Sequence, residues 1–209
     1  QRLEAIGYFT HVNVYHVKSS ENEAIGKNYR DVVIEVSEAR TANFSLFAGM
    51  SSTDSVFTGL ELSENNFDHR GLTRFWKHGL SSLRGGGEYL DIRSQIGKKQ
   101  LSHSLTWINP YFRDTLWRVG FDLNYSKSHL QSKDYHFRSR GGSVFASYPL
   151  NAYWNFSLKC RINDAKVKID QKEGGIVHYE AEREEKNSGL VIGAGPSISF
   201  DSVDHPFKP

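Results

Sequence analysis

Apolar and polar residues alternate along the stretch from Thr115 to Ser126. The apolar positions, all of one parity, are Trp117, Val119, Phe121, Leu123 and Tyr125. A period of two is typical of a β-strand with two unlike faces. The run is longer than the about 5–6 residues of an average soluble strand and matches the about 9–11 residues of a membrane-spanning strand. It therefore favours a transmembrane β-barrel over a soluble β-sandwich, whose apolar face would point into a core.

The same alternation recurs in most of the chain after Thr41. The further segments are 41–50, 56–66, 89–97, 101–109, 142–148, 153–163 and 189–201. Together they predict about eight strands, spaced as in an antiparallel meander. Leu46, Leu60, Ile92, Phe121, Phe156 and Ile192 are then expected on one lipid-facing, convex surface.

The connections between these segments alternate in length. Asn109–Thr115 and Pro149–Asn151 are short and flanked by aromatic residues, whereas Lys127–Arg140 and Asp164–Ser188 are longer and polar. Short turns at one end and long loops at the other are typical of bacterial outer-membrane barrels. Aromatic side chains at such a rim are expected at the water–lipid interface. The predicted interface residues are Phe75, Trp76, Leu80, Trp107, Tyr111, Phe112, Trp117, Tyr148, Tyr153 and Trp154.

Charged residues fall mainly on the parity opposite to the apolar one. Arg93, Arg118, Lys159 and Arg161 follow this pattern, while Glu64 and His103 are exceptions that we place near strand ends. A cationic side chain at the bilayer midplane would cost about 2–4 kcal/mol, which explains the segregation. Pro196 lies within the last alternating segment beside two glycines and predicts a local break or bend there.

The segment Leu72–Leu83 follows a helical period instead. Its apolar residues recur every three or four positions and are interleaved with Arg74, Lys77 and Arg84. We predict a short basic amphipathic helix at the membrane interface, with Phe75, Trp76 and Leu80 directed to the barrel rim or lipid. The alternative is a helix that packs against a soluble module.

The first 40 residues have a different pattern. Gln1–Ile6 predicts the end of a helix, Val12–Val17 a strand, Lys18–Lys27 a polar loop and Asp31–Ser37 a second strand. This order indicates the end of a small α+β module. We expect the chain to be a piece of a longer, exported protein.

Composition narrows the functional classes. The 26 Lys and Arg residues nearly balance 24 Asp and Glu residues, so a nucleic-acid partner is not expected. The single cysteine, Cys160, excludes an intramolecular disulfide and lies on the apolar parity as a small hydrophobic residue. No metal-ligand spacing, nucleophile elbow, catalytic carboxylate pair or phosphate loop occurs. We therefore expect no enzyme, no metal and no cofactor.

An ordered set of short stretches resembles the Omp85 superfamily, most closely the outer-membrane assembly insertases of the BamA type. These stretches are Arg2-Leu3, Gly7-Tyr8-Phe9, Val12-Asn13-Val14, Val33–Arg40, Asn65-Asn66-Phe67 with Arg70-Gly71, Asn109-Pro110-Tyr111-Phe112, Arg140-Gly141-Gly142 to Tyr148-Pro149-Leu150, and Asp201–Pro209. The resemblance implies an all-β fold, an antiparallel transmembrane β-barrel. About eight strands of a 16-stranded barrel (residues 41–209) follow the end of a last POTRA domain (1–40). Leu72–Leu83 departs from the family pattern as an insertion.

The resemblance also implies a function in the outer membrane, with the N-terminal part in the periplasm. The first barrel strand would open as a lateral gate and template strands of unfolded outer-membrane protein clients by β-augmentation. That strand comprises Asn43, Phe44, Ser45, Leu46, Phe47, Ala48 and Gly49. Because main-chain bonds would dominate, side-chain changes at Ser45 or Phe47 are expected to matter little. Accessory assembly lipoproteins and membrane lipid are the other implied partners.

Two alternatives remain at the level of sequence. One is a two-partner secretion transporter of the same superfamily, which exports a single polypeptide. The other is a small closed eight-stranded porin or adhesin, which predicts no soluble module before Thr41.

Overall fold

The computed structural model describes residues 7–18, 30–51, 55–129, 135–169 and 188–202. The chain divides into two compact units, Gln1–Ala42 and Asn43–Pro209. The helix predicted at Gln1–Ile6 lies outside the described residues, as does nearly all of the loop predicted at Lys18–Lys27. No helix in the described ranges is long and apolar enough to cross a membrane.

The first unit contains an antiparallel pair of strands, β1 (Phe9–Lys18) and β2 (Arg30–Glu38). Both predicted strands are confirmed, with slightly wider bounds. The Tyr15 hydroxyl donates a hydrogen bond to Oε1 of Glu35 at 2.8 Å. This bond and the negative charge of the carboxylate raise the pKa of Tyr15, because both disfavour the phenolate.

The second unit is built around one eight-stranded antiparallel sheet, which confirms the number and direction of the predicted strands. Each strand pairs with its neighbours in sequence, in the order β10-β9-β8-β7-β6-β5-β4-β3. The strands are β3 (Ala42–Ser51), β4 (Ser55–Phe67), β5 (Glu88–Gly97), β6 (Gln100–Asn109), β7 (Arg118–Ser128), β8 (Tyr135–Pro149), β9 (Trp154–Ile169) and β10 (Gly189–Phe200).

This sheet is open. Within the described residues, β3 and β10 are its outer strands and do not pair with each other. A closed eight-stranded porin or adhesin requires that pairing, so this alternative does not fit the structure.

Two predicted loops are shorter than expected. Strand β8 begins at Tyr135 rather than Gly142, and β9 continues to Ile169 rather than Asn163. The two strands pair without a register shift from Tyr135 opposite Ile169 to Pro149 opposite Asn155. Backbone pairing therefore extends beyond the region where side chains alternate, because a ladder needs only backbone donors and acceptors.

The strand register confirms the predicted separation of faces. An apolar row crosses seven strands through directly opposed residues: Leu62, Ile92, Leu105, Leu123, Gly142, Ile162 and Ile192. The neighbouring row on the other face is polar: Ser63, Asp91, Thr106, Asp122, Ser143, Arg161 and Gly193. Arg118 and Phe121 accordingly lie on opposite faces, as predicted.

The apolar face is exposed in this unit. Ile192 is 71% exposed and Leu46 is 72% exposed, although a soluble sandwich would bury both. On the polar face, a groove of about 870 Å³ is lined by residues that include Asp122, Ser143 and Arg161. The polar face is therefore the concave one, as in the wall of a barrel with a polar lumen.

Of the local break or bend predicted at Pro196, the break is wrong. Strand β10 continues through this residue, and Pro196 lies opposite Leu158 in an unshifted ladder. Among the described strands, β10 pairs with β9 alone. A proline nitrogen that faces the other side removes no bond from the ladder with β9.

Candidate functional site

The predicted client-binding residues, Asn43–Gly49, all lie in β3, the outermost strand on one side of the sheet. On its other side β3 is joined to β4. The Thr58 hydroxyl adds a hydrogen bond to the backbone carbonyl of Phe47 at 3.1 Å. An outer strand presents alternate N–H and C=O groups along its free side. Strand β3 therefore has the backbone geometry needed to accept another strand.

Two glycines of the β3–β4 hairpin lie beneath aromatic rings on the polar face. A Cβ atom at Gly59 would collide with the Phe47 ring, and one at Gly49 would lie 2.7 Å from Cζ of Phe57. The two rings are 6.5 Å apart in an edge-to-face arrangement. Phe47 therefore packs across the hairpin. The expectation that side-chain changes at Phe47 matter little for client assembly stays a prediction, since this contact concerns packing within the hairpin.

Aromatic residues form a girdle on the apolar face, at the end of the sheet where β6–β7 and β8–β9 connect. We call this end the turn end. Ring centroids are 5.6 Å apart for Trp107 and Phe121, 5.1 Å for Trp117 and Tyr148, and 4.9 Å for Trp154 and Phe200. The structure thus places four predicted interface residues on the apolar face at the turn end, namely Trp107, Trp117, Tyr148 and Trp154, and two of them, Trp117 and Tyr148, contact each other. Such a girdle is expected at the height of lipid headgroups.

Three other predicted interface residues lie in or beside the turns. Tyr153 contacts Phe200 at 6.3 Å, while Tyr111 and Phe112 are exposed in the β6–β7 connection. Phe200 was not among the residues predicted at the interface. Its parity with Ile198 in β10 could have placed it on the apolar face.

The predicted amphipathic helix is helical but is not one continuous helix. A 3₁₀ helix at His69–Thr73 leads into a single α-helical turn, α1 (Phe75–His78), and a second 3₁₀ helix at Gly79–Leu83. The interruption occurs at Gly79, whose φ of 68° lies in the left-handed region and ends the helical turn. We call residues 68–84 the rim segment, because it connects β4 to β5 at the turn end.

The rim segment folds back on itself. The backbone N–H of Asp68 donates to the carbonyl of Leu83 at 2.8 Å, and Phe67 forms a bridge with Arg84. Gly71 is buried against the backbone of Ser82, so that no Cβ atom would fit there. These contacts hold the two 3₁₀ helices together in a compact loop.

A buried carboxylate joins the rim segment to the sheet. Glu88, at the start of β5, is 3% exposed although it shares the parity of Leu90 and Ile92 on the apolar face. Its Oε2 accepts hydrogen bonds from Nε1 of Trp107 at 2.9 Å and from the backbone N–H of His69 at 3.1 Å. Its Oε1 accepts from Nδ2 of Asn109 at 3.0 Å and lies next to Nδ1 of His69.

Glu88 was not singled out in the sequence, where the alternating segment was predicted to begin one position later, at residue 89. Glu64, one of the two predicted exceptions, has a related environment. It is 7% exposed, accepts from the backbone N–H of Asn66 at 2.9 Å and lies 3.6 Å from Nε of Arg84. The rim segment therefore covers or pairs both carboxylates, which removes their cost on the lipid-facing parity.

The other exception, His103, lies three residues from the start of β6 and stacks on Tyr125 with ring centroids 6.1 Å apart. Its Nδ1 is 2.9 Å from the Ser94 hydroxyl. Within β6 it is closer to the middle than to either end, so the predicted position near a strand end is not confirmed.

The polar face holds a network of side chains across the strands. Asp122 accepts hydrogen bonds from Thr106 of β6 at 3.1 Å and Ser143 of β8 at 2.8 Å. Arg93 lies 2.8 Å from Glu61 and 3.1 Å from Asp91. No cluster of three or more His, Cys, Asp or Glu side chains that could bind a metal ion occurs among the described residues. The hydrogen bonds of Asp122 and the ion pair between Arg93 and Glu61 each join neighbouring strands.

Comparisons with known proteins place this architecture. The Omp85 superfamily domain matches residues 82–209, more than half of the chain. No curated protein sequence matches this chain. Among solved structures, BamA from Haemophilus ducreyi lacking POTRA domains 1–3 is similar over 100% of this chain with a TM-score of 0.56 and 14% identity. CdiB from Acinetobacter baumannii is similar over 94%, with a TM-score of 0.47 and 12% identity.

The chain spans 38% of the length of that BamA chain and 35% of the CdiB chain. At 14% identity the likeness to BamA concerns the fold, an antiparallel barrel wall. Together with the domain match over strands β5–β10, it agrees with the open eight-stranded sheet described above. The chain belongs to the Omp85 superfamily.

Proposed function

We propose that this chain is the first part of an outer-membrane assembly factor that folds and inserts β-barrel proteins. Residues 1–40 would be the C-terminal part of the last POTRA domain and residues 41–209 the N-terminal half of the barrel. The observation on which the proposal depends is the position of β3. It is the outer strand of a sheet whose other described strands, except β10, pair on both sides.

The work of such a factor would be an exchange of backbone hydrogen bonds rather than covalent catalysis. A client strand that pairs with the free side of β3 satisfies donors and acceptors that lipid cannot satisfy. Each strand added in this way extends the sheet, and side chains contribute through their alternation between the two faces. The protein would therefore need no catalytic residue and no cofactor.

The proposed partners are unfolded outer-membrane protein clients, accessory assembly lipoproteins and membrane lipid. The proposed location is the bacterial outer membrane, with residues 1–40 in the periplasm. Support for the location comes from family membership and from the exposed apolar face with its aromatic girdle. A two-partner secretion transporter of the same superfamily would use a similar barrel wall, and the following experiment separates the two functions.

Proline scanning of β3 in the full-length protein tests the proposal. Consecutive residues of a strand direct their N–H groups to opposite sides, so Ser45→Pro and Leu46→Pro remove donors from opposite sides of β3. One variant weakens the pairing with β4, and the other removes a donor only from the free side. Folding of each variant is scored by heat-modifiable gel mobility and abundance. Function is scored as assembly of newly made outer-membrane barrels.

We expect the variant that stays folded and abundant to lose most assembly activity. Ser45→Ala and Leu46→Ala are the matched controls and should retain it, because they keep the backbone donor. Normal assembly by a folded proline variant would contradict templating by β3. Normal assembly together with loss of export of one secreted polypeptide would instead identify the transporter.

A further inference from the structure

The rim segment has an outer surface that its contacts with the sheet do not use. Its inner side includes the buried Gly71 and the partly buried Phe75 and Leu83. Its exposed residues include Leu72, Trp76 and Leu80, which are 56%, 90% and 74% exposed. A tryptophan that is almost fully exposed on an ordered segment is expected where an apolar medium or a partner covers it.

The same surface is strongly basic. Arg70, Arg74 and Lys77 are all exposed, and the one acidic residue of the rim segment is Asp68, whose side chain accepts a hydrogen bond from the backbone N–H of Arg70 at 2.9 Å. Exposed apolar and aromatic side chains combined with Lys and Arg are the composition of segments that lie in the interface of an anionic membrane. The charge thus favours an anionic lipid surface over a neutral one.

The position of the segment relative to the girdle gives a second, independent argument. The His69 ring contacts the Trp107 ring, with centroids 5.9 Å apart, and both side chains bind Glu88. Trp107 in turn lies on Phe121 within the aromatic girdle. The rim segment is therefore fixed on the apolar face at the height where the girdle meets the lipid headgroups.

We infer that the rim segment is a rigid docking surface for anionic phospholipid, held against the barrel wall by Glu88. Trp76 and Leu80 insert at the level of the headgroups and upper acyl chains, and Arg70, Arg74 and Lys77 bind lipid phosphates. Because the segment connects β4 to β5, the lipids that it gathers lie one strand away from β3. The inference requires only that the sheet lies in a membrane, so it does not depend on assembly activity.

Fluorescence quenching by brominated lipid in vesicles tests this. The full-length protein is inserted into two sets of vesicles that contain the same fractions of phosphatidylglycerol and phosphatidylcholine. In one set bromine is on a fixed fraction of phosphatidylglycerol, and in the other it is on an equal fraction of phosphatidylcholine. The signal of Trp76 is the difference between the protein and Trp76→Phe. Total surface charge is the same in both sets, so any difference reports local enrichment.

We expect brominated phosphatidylglycerol to quench Trp76 more strongly than brominated phosphatidylcholine. The double variant Arg74→Gln, Lys77→Gln should reduce this preference by up to about fivefold per cation, the ratio to which ~1 kcal/mol corresponds. Lys98→Gln, Lys99→Gln is the matched control, because it removes two charges from the β5–β6 turn at the other end of the sheet. It should leave the preference unchanged.

Equal quenching in both vesicle sets would overturn the selectivity for anionic lipid. Absence of quenching in both would overturn lipid docking altogether and show that water or a protein covers this surface. Arg74, Trp76, Lys77 and Lys98 are exposed and Lys99 is half-buried. Heat-modifiable gel mobility checks that each barrel is folded. The measurement needs no client, so its failure and the failure of the assembly proposal can be told apart.

Discussion

The Trp107 indole donates a hydrogen bond to Glu88 at 2.9 Å on the face of the sheet that otherwise bears apolar side chains. A carboxylate that is buried in this position needs hydrogen-bond donors, because it has lost its contact with water. The rim segment meets this need, because His69 supplies a backbone donor to the same carboxylate and covers it. The barrel wall and the rim segment are thus joined through the buried carboxylate of Glu88.

The first prediction concerns this buried acceptor. Glu88→Gln replaces one carboxylate oxygen with an NH₂ group that faces existing donors. We expect the free energy of unfolding in vesicles to fall by about 1–3 kcal/mol, the cost of leaving a buried polar group unsatisfied. The measurement is urea unfolding followed by heat-modifiable gel mobility.

Glu61→Gln is the matched control for Glu88. Its ion pair with Arg93 lies on the polar face, where the two side chains are 31% and 59% exposed. Exposed pairs contribute about 0–1 kcal/mol, so this variant should be nearly neutral. Equal effects of the two substitutions would contradict the structural role assigned to Glu88.

The second prediction tests which face meets lipid. Leu105 lies between Ile92 and Leu123 in the apolar row. Leu105→Arg should lower the stability of the inserted barrel by about 2–4 kcal/mol, as expected for arginine at the bilayer midplane. Ser102→Arg, on the opposite face between Gln95 and Ser126, should have little effect. If urea unfolding from vesicles shows that Ser102→Arg destabilises the barrel more than Leu105→Arg, the polar face meets lipid and the apolar face lines the lumen.

The third prediction concerns the close packing of the β3–β4 hairpin. A Cβ atom at Gly59 would collide with the Phe47 ring and lie 2.8 Å from the Ser94 carbonyl oxygen. We expect Gly59→Ala to cost about 1–3 kcal/mol through overpacking. Gly195→Ala on the same face of β10 meets open space and should be neutral or slightly stabilising. Equal unfolding midpoints for the two variants would show that Phe47 does not need the space above Gly59.

The fourth prediction follows from the unbroken course of β10. Pro196→Ala should change the free energy of unfolding by less than about 0.5 kcal/mol, as for most substitutions that break no specific contact. Leu158→Pro, at the opposed position in β9, should be much more destabilising because β9 pairs on both sides. If the alanine variant unfolds much more readily than the parent protein, Pro196 has a role that the ladder does not explain.

The sequence by itself determined the strands and their faces. Alternation is a local property, and successive side chains of any strand point to opposite sides. For this reason the residues from Trp117 to Tyr125 were sufficient to assign the faces of β7. The pattern of short and long connections likewise predicted which aromatic residues lie together at one end of the sheet, since antiparallel neighbours return every second connection to the same end.

Only the tertiary structure decided the features that depend on residues far apart in the chain. Glu88 is buried because it contacts two residues that are each 19 positions away in the sequence. His69 contacts it because the rim segment folds back on the sheet, and Trp107 contacts it because β6 pairs with β5. Whether Pro196 interrupts the ladder with β9 depends on the register of the two strands, which no local pattern reveals. Phe47 and Gly59 contact each other across a hairpin. Periodicity specifies the direction of a side chain, whereas its partners are set by how strands and connections pack in space.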